Sequence, residues 1–150
     1  MFNFFKKKRP DLPRHQYKNL SIALPSHWQY ELGDGEQQAC YDPESQSTLR
    51  INILKANHEG IPADQHIASL TNNEAYRSTS KGHLLTLPVY FDTIEEGQSI
   101  TLVTWRLINH TSPEKTLAVF TYTVLSAEIK SIEEIDVIAT IEKALEDADI

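Results

Sequence analysis

The sequence predicts an α+β domain: an antiparallel β-sheet of about 6–7 strands flanked by helices, with a C-terminal amphipathic helix packed on the sheet. Three observations predict it. Short runs of alternating apolar and polar residues recur between turn signals, which is the period of half-buried strands. Two stretches carry the helical period instead, one near residue 65 and one after residue 131. The order is therefore strands, helix, strands, helix, which favours hairpins and an antiparallel sheet over a doubly wound parallel one.

Taken in order, residues 1–16 show no periodicity and contain Pro10 and Pro13, so they are expected to form a flexible basic tail ahead of a single domain over 17–150. Residues 17–24 predict a strand with Leu20, Ile22 and Leu24 on one face, ended by Pro25, which lacks a ladder N–H. Further strands are expected over 28–32 and 38–41, joined by a turn at Gly33-Asp34-Gly35. The run 48–54 alternates cleanly, with Leu49, Ile51 and Ile53 pointing one way. Gly60 and Pro62 announce a helix over 62–72, because proline is tolerated at the first helical position. Ala63, His66, Ile67 and Leu70 mark its apolar face.

In the second half, residues 83–91 alternate but contain Pro88, which predicts an edge or bulged strand. A turn follows at Ile94–Gly97. The strand 99–109 shifts its apolar phase between Leu102 and Val103, predicting either a bulge or burial on both faces. Residues 116–125 are apolar on both faces, as a covered central strand should be. Finally, Ser131-Ile-Glu-Glu134 has the form of a capping box, and Ile132, Ile135, Ile138, Ile141 and Leu145 recur at helical spacing over about 15 residues.

At this point the order of motifs resembles a known family. Leu20-Ser-Ile-Ala-Leu-Pro25 followed by Trp28 is similar to the opening strand of PsbP-like proteins, and Tyr41-Asp-Pro43, the strands around Trp105 and Phe120, and the helix from Ser131 follow in that family's order. The resemblance covers about residues 17–147. It implies an antiparallel sheet flanked by helices in a small bacterial member, and it implies no one activity, since the family includes a photosystem accessory subunit and a Ran-GTPase-binding protein. Fold alone does not license function.

The 150 residues carry a net charge of −7, unevenly distributed. Residues 1–19 hold +5, residues 20–127 hold −6 and residues 128–150 hold −6. A nucleic-acid binder needs a basic face to neutralise phosphates, so no nucleic-acid partner is expected of this acidic body. The only cysteine, Cys40, permits no internal disulfide. The N-terminal charges follow the apolar residues instead of preceding them, unlike a secretory signal. A cytoplasmic location is the simplest expectation.

No residue set has the spacing of a known catalytic or metal motif, so no catalytic residue and no cofactor is assigned. Cys40 is expected to be a buried small hydrophobe. The densest cluster of possible metal ligands is His58, Glu59, Asp64 and His66, which lacks the i, i+4 spacing of strong zinc sites. His27, His83 and His110 are scattered, and Glu95-Glu96 reads as solvated turn charges. Trp28 and Trp105 are expected in the core. Phe2, Phe4 and Phe5 beside Lys6, Lys7, Lys8 and Arg9 offer a weak membrane-surface contact. The leading functional expectation is a non-enzymatic binding or accessory module for a protein or small ligand. The alternatives are a small enzyme or metal protein around His58–His66, and a peripheral protein tethered by residues 1–10.

Overall fold

The computed structural model describes residues 14–33, 35, 37–56, 63–111 and 115–150. Gly60, Pro62 and the tail up to residue 13 lie outside the described residues. Within them the expected α+β architecture is present, with ten strands and two α-helices. The strands are β1 (His15–Tyr17), β2 (Leu20–Ile22), β3 (Gln29–Leu32), β4 (Gln38–Tyr41), β5 (Thr48–Ala56), β6 (Tyr76–Ser78), β7 (Leu84–Thr86), β8 (Val89–Glu95), β9 (Gln98–Asn109) and β10 (Lys115–Leu125). Helix α1 spans Ala63–Leu70 and α2 spans Ile132–Glu146. β1 and β2 form a two-stranded sheet. The others form an eight-stranded antiparallel sheet ordered β3-β4-β5-β10-β9-β7-β6, with β8 also paired to β9.

The count exceeds the expected 6–7 strands for three local reasons. The run 17–24 is not one strand: Lys18 takes a positive φ of 54°, which folds His15–Tyr17 back onto Leu20–Ile22. His15 and Gln16, expected in the tail, are therefore part of strand β1. The run 83–91 is split at Pro88. Three residues separate Leu85 from Val89, while two separate their partners Leu107 and Thr104, so a one-residue bulge sits there. The Thr86 hydroxyl occupies the gap and accepts from the Arg106 N–H at 2.8 Å. β6 adds an edge strand with all three side chains exposed, which gives no apolar period to read.

β9 and β10 pair without interruption over ten residue pairs, so the phase shift at Leu102–Val103 is not a bulge: Val103 is fully buried on one face and Leu102 half-buried on the other. One face of the sheet packs against α2 and the β1–β2 hairpin. Trp105, Phe120, Leu49, Ile51, Leu20 and Ile141 are fully buried there, and Trp28 joins the same core. The other face is covered only at one end, where α1 places Leu70 on Leu84, Ile108 and Leu117. Helix α1 stops at Leu70 and is followed by Asn72 and Asn73, both at positive φ; asparagine tolerates this conformation in such a helix end.

Helix α2 has the expected length and the expected cap: the Ser131 hydroxyl accepts from the Glu134 N–H. Its buried face is rotated from the one read off the isoleucines. Ile132 and Ile135 are 76% and 53% exposed, whereas Glu134 is buried with Ile138, Ile141, Ala144 and Leu145. The Glu134 carboxylate accepts from Ser47 Oγ at 2.8 Å and from the Tyr122 hydroxyl at 3.1 Å. These two hydroxyls reward turning the first helical turn inward on its acid.

Candidate functional site

Two surfaces compete for the role of a site, and the chemistry of each decides between them. The larger concavity is a cleft of about 820 Å³ between the β1–β2 hairpin and the end of α2, lined by Arg14, Ser21, Lys81, Thr140, Lys143 and Asp147, among others. Four of its charged groups, Arg14, Lys81, Asp147 and Asp149, are engaged in contacts within the fold. Arg14 donates from Nε to Ser21 Oγ and from its terminal nitrogens to Ser21 O, Asp147 O and Asp147 Oδ2. Lys81 lies 3.8 Å from Asp147. Deeper, buried His83 holds Asp149 through Nε2 at 2.7 Å, and this hydrogen bond is the main influence drawing the Asp149 carboxyl below its ordinary range. Asp149 in turn exchanges both backbone hydrogen bonds with Ser21. These contacts clamp residues 147–150 against β2. They commit the Arg14 guanidinium and the Asp149 carboxylate to holding the fold together.

The other surface is the outer edge of β8. The β8–β9 hairpin closes on Glu96 and Gly97, both at positive φ (50° and 79°), the conformation of a two-residue primed turn. Such a turn makes Glu95–Gln98 a hydrogen-bonded pair. By alternation, Thr93, Phe91 and Val89 direct their N–H and C=O groups at β9, as the Arg106–Thr86 contact two residues beyond Thr104 also requires. Tyr90, Asp92 and Ile94 then direct theirs outward. Among the described residues no strand pairs this edge.

The side chains along the same edge are apolar and exposed. Phe91 is 61% and Ile94 72% exposed, and Leu87, Val89 and Tyr90 are exposed with them. Full burial of a side chain such as Phe or Ile is worth about 1.5–3 kcal/mol, so this strand forgoes a gain that a covering partner could recover. Tyr90, Asp92 and Ile94 lie on the α2 face, since their partners Val103, Thr101 and Ser99 do. The Tyr90 hydroxyl is pushed up by partial burial and by the charge of Glu142 on α2. Asp92 accepts from Thr101 Oγ1 at 2.7 Å and is exposed on the edge. With Glu95 and Glu96 it makes this strand apolar and acidic together.

The residues singled out from sequence take the following places. Cys40 is fully buried, and burial pushes its thiol up to about 12, so it is held as a neutral thiol and not a nucleophile. Asp64 is exposed on α1 and His66, two residues on, is buried, so the helix turns them to different sides. His58 and Glu59 lie outside the described residues, as do Phe2, Phe4, Phe5 and Lys6–Arg9. Among the described residues no group of three or more His, Cys, Asp or Glu side chains is placed to share a metal ion. His27 is exposed beside Asp42, and Trp105 is fully buried with its Nε1 donating to Glu142. Glu95 and Glu96 are exposed at the hairpin tip. The edge and the bulge expected from Pro88 are both present; what the alternation did not show is that the apolar side chains of β8 stand exposed along that edge.

The fold thus defines a class: an α+β sandwich of one antiparallel sheet with a C-terminal helix on one face and an open, apolar strand at one edge. No protein-family model and no curated protein sequence matches the chain. Solved structures do. The crystal structure of LpqN, involved in cell envelope biogenesis of Mycobacterium tuberculosis, superposes with a TM-score of 0.58 at 10% identity, over 89% of this chain and 86% of that one. A crystal structure from Bacteroides thetaiotaomicron matches with a TM-score of 0.50 at 18% identity over 79% of this chain, which spans only 43% of that one. The Saccharomyces cerevisiae Ran-binding protein Mog1p matches at 8% identity over 93% and 96% of the two chains, with a TM-score of 0.49 that carries no argument. These likenesses show the fold alone. No helix among the described residues is long and apolar enough to cross a membrane.

Proposed function

We propose that this chain is a PsbP-like, non-enzymatic accessory module that binds another protein along the β8 edge. One observation carries the reading: a seven-residue strand, whose outer edge no strand pairs among the described residues, displays Val89, Tyr90, Phe91 and Ile94 to solvent. Monomeric proteins rarely leave such a contiguous apolar edge uncovered, because it templates pairing with other chains. The fold likeness to LpqN supports the family assignment and adds no function.

A photo-crosslinking side chain placed at Phe91 in the full-length protein tests this, with the same group at exposed Ile132 as the control. One protein should be captured from position 91 and not from 132. Once purified, that protein should bind the wild type at least about 10-fold more tightly than Ile94→Lys, the weakening that lost hot-spot contacts produce. Equal capture at both positions, or no capture at 91, would refute the reading.

A further inference from the structure

We infer that the β8 edge is a strand-acceptor site whose resident occupant is the chain's own N-terminal segment, residues 2–9. The acceptor is set by the geometry above: outward backbone groups at Tyr90, Asp92 and Ile94, flanked by exposed aromatic and aliphatic side chains. The charge on it selects the occupant. Asp92 and Glu95 on the strand, Glu96 at the turn and Glu142 beside Tyr90 make the edge acidic. A second copy of β8 pairing across a twofold axis would oppose these carboxylates with their own copies, and like charges facing each other across strands are unfavourable.

The strand this edge accepts is apolar and basic. Residues 2–9, Phe-Asn-Phe-Phe-Lys-Lys-Lys-Arg, are of that kind. As an extended strand they would put Phe2, Phe4, Lys6 and Lys8 on one face and Phe5, Lys7 and Arg9 on the other. Aromatic side chains would then meet the exposed apolar strip on both faces, and each face would also bring cations to the carboxylates.

Reach permits this within one chain. Arg14 is fixed beside Asp147 at the end of α2. Glu142, the neighbour of Tyr90, lies five residues back along that helix, about 8 Å of helical rise. Residues 10–13, between Arg14 and the docked segment, span at most about 17 Å, more than this offset along the helix. This inference goes beyond the proposed function: a foreign strand must displace the tail, and the tail can sit on the edge whether or not a foreign strand exists.

Amide hydrogen exchange on the full-length protein tests it. The Tyr90, Asp92 and Ile94 amides should exchange at least about 10-fold more slowly in the wild type than in a variant combining Phe2→Ser, Phe4→Ser and Phe5→Ser, which corresponds to a docked fraction near 90%. Other strand amides should be unchanged, and the protection should not depend on protein concentration. Equal exchange in the two proteins overturns the inference. Equal exchange together with Phe-dependent flotation on phosphatidylglycerol vesicles overturns it in favour of membrane contact. Protection that grows with concentration, with a doubled mass in solution, overturns the intramolecular assignment. Because the docked tail competes for the edge, the crosslinking test above is repeated on the triple Phe→Ser variant: capture of a foreign protein there bears on the proposed function alone, and the exchange rates bear on the tail alone.

Discussion

Replacing Tyr122 with Phe isolates one buried interaction of known geometry. The Tyr122 hydroxyl donates to the buried Glu134 carboxylate at 3.1 Å, and Ser47 donates to the same group at 2.8 Å. Burial and Glu134 together hold the Tyr122 hydroxyl in its protonated, donating form, pushing its pKa upward, although its hydrogen bond with Ser47 pulls the other way. The ring packs in the main core and is retained in Phe, so the substitution removes one donor to a charged acceptor and leaves little cavity. Hydrogen bonds to charged groups contribute about 1.5–3 kcal/mol, and that is the expected loss. For a chain of this size about 2–4 °C of midpoint accompanies each kcal/mol, so the thermal midpoint should fall by about 3–12 °C. Urea unfolding at pH 7 measures it, with the midpoint moving and the slope unchanged. Ser47→Ala alone and with Tyr122→Phe completes a cycle, whose coupling should be about 0.5–3 kcal/mol because both hydroxyls serve one carboxylate. A loss below about 0.5 kcal/mol, the level of an ordinary surface change, would refute the buried-acceptor argument.

The rotated face of α2 predicts a contrast: Ile141→Ala should cost about 2–5 kcal/mol in the same assay, and Ile135→Ser about 0.5 kcal/mol or less. A large loss at Ile135 would show that the isoleucine stripe, not the Glu134 face, packs inward. Because Cys40 is buried and its thiol is pushed up to about 12, a thiol reagent at pH 7 should label native protein at least about 100-fold more slowly than protein in guanidinium. Asp149 has a depressed carboxyl pKa in the fold, so its contribution is present above the unfolded carboxylate value of about 3.9 and is lost as pH falls through the lower folded value. Urea midpoints from pH 5 to pH 2 should therefore drop more steeply for the wild type than for Asp149→Asn. The effect should be small, because the Asp149 side chain is 58% exposed.

Local signals in the sequence were decisive where the periodic element was long and one-sided. The run 48–54, the two-faced run 116–125 and the Ser131 cap each predicted the element that formed, because an alternating or helical apolar period has few other uses. They failed where a single backbone conformation decides, as the positive φ at Lys18 made a hairpin of one strand, whereas Pro88 did mark the edge and bulge in 83–91. They failed as well where the partner is distant in sequence. Nothing within α2 states that Ser47 and Tyr122 will meet Glu134, 87 and 12 residues away, so the isoleucines alone put the helix a fraction of a turn out of phase.

The candidate site divides the same way. The sequence by itself determined the α+β class, the acidic body and the basic, Phe-rich segment ahead of it, because composition and period are properties of the chain alone. Pro88 marked 83–91 for an edge or a bulge, and only the tertiary structure decided that its second half stands at an open edge with its apolar side chains exposed. Val89, Phe91 and Ile94 resemble core residues as a string. They are exposed because the bulge at Pro88 separates β8 from β7 and the hairpin carries it to the rim of the sheet, where no further strand pairs it among the described residues.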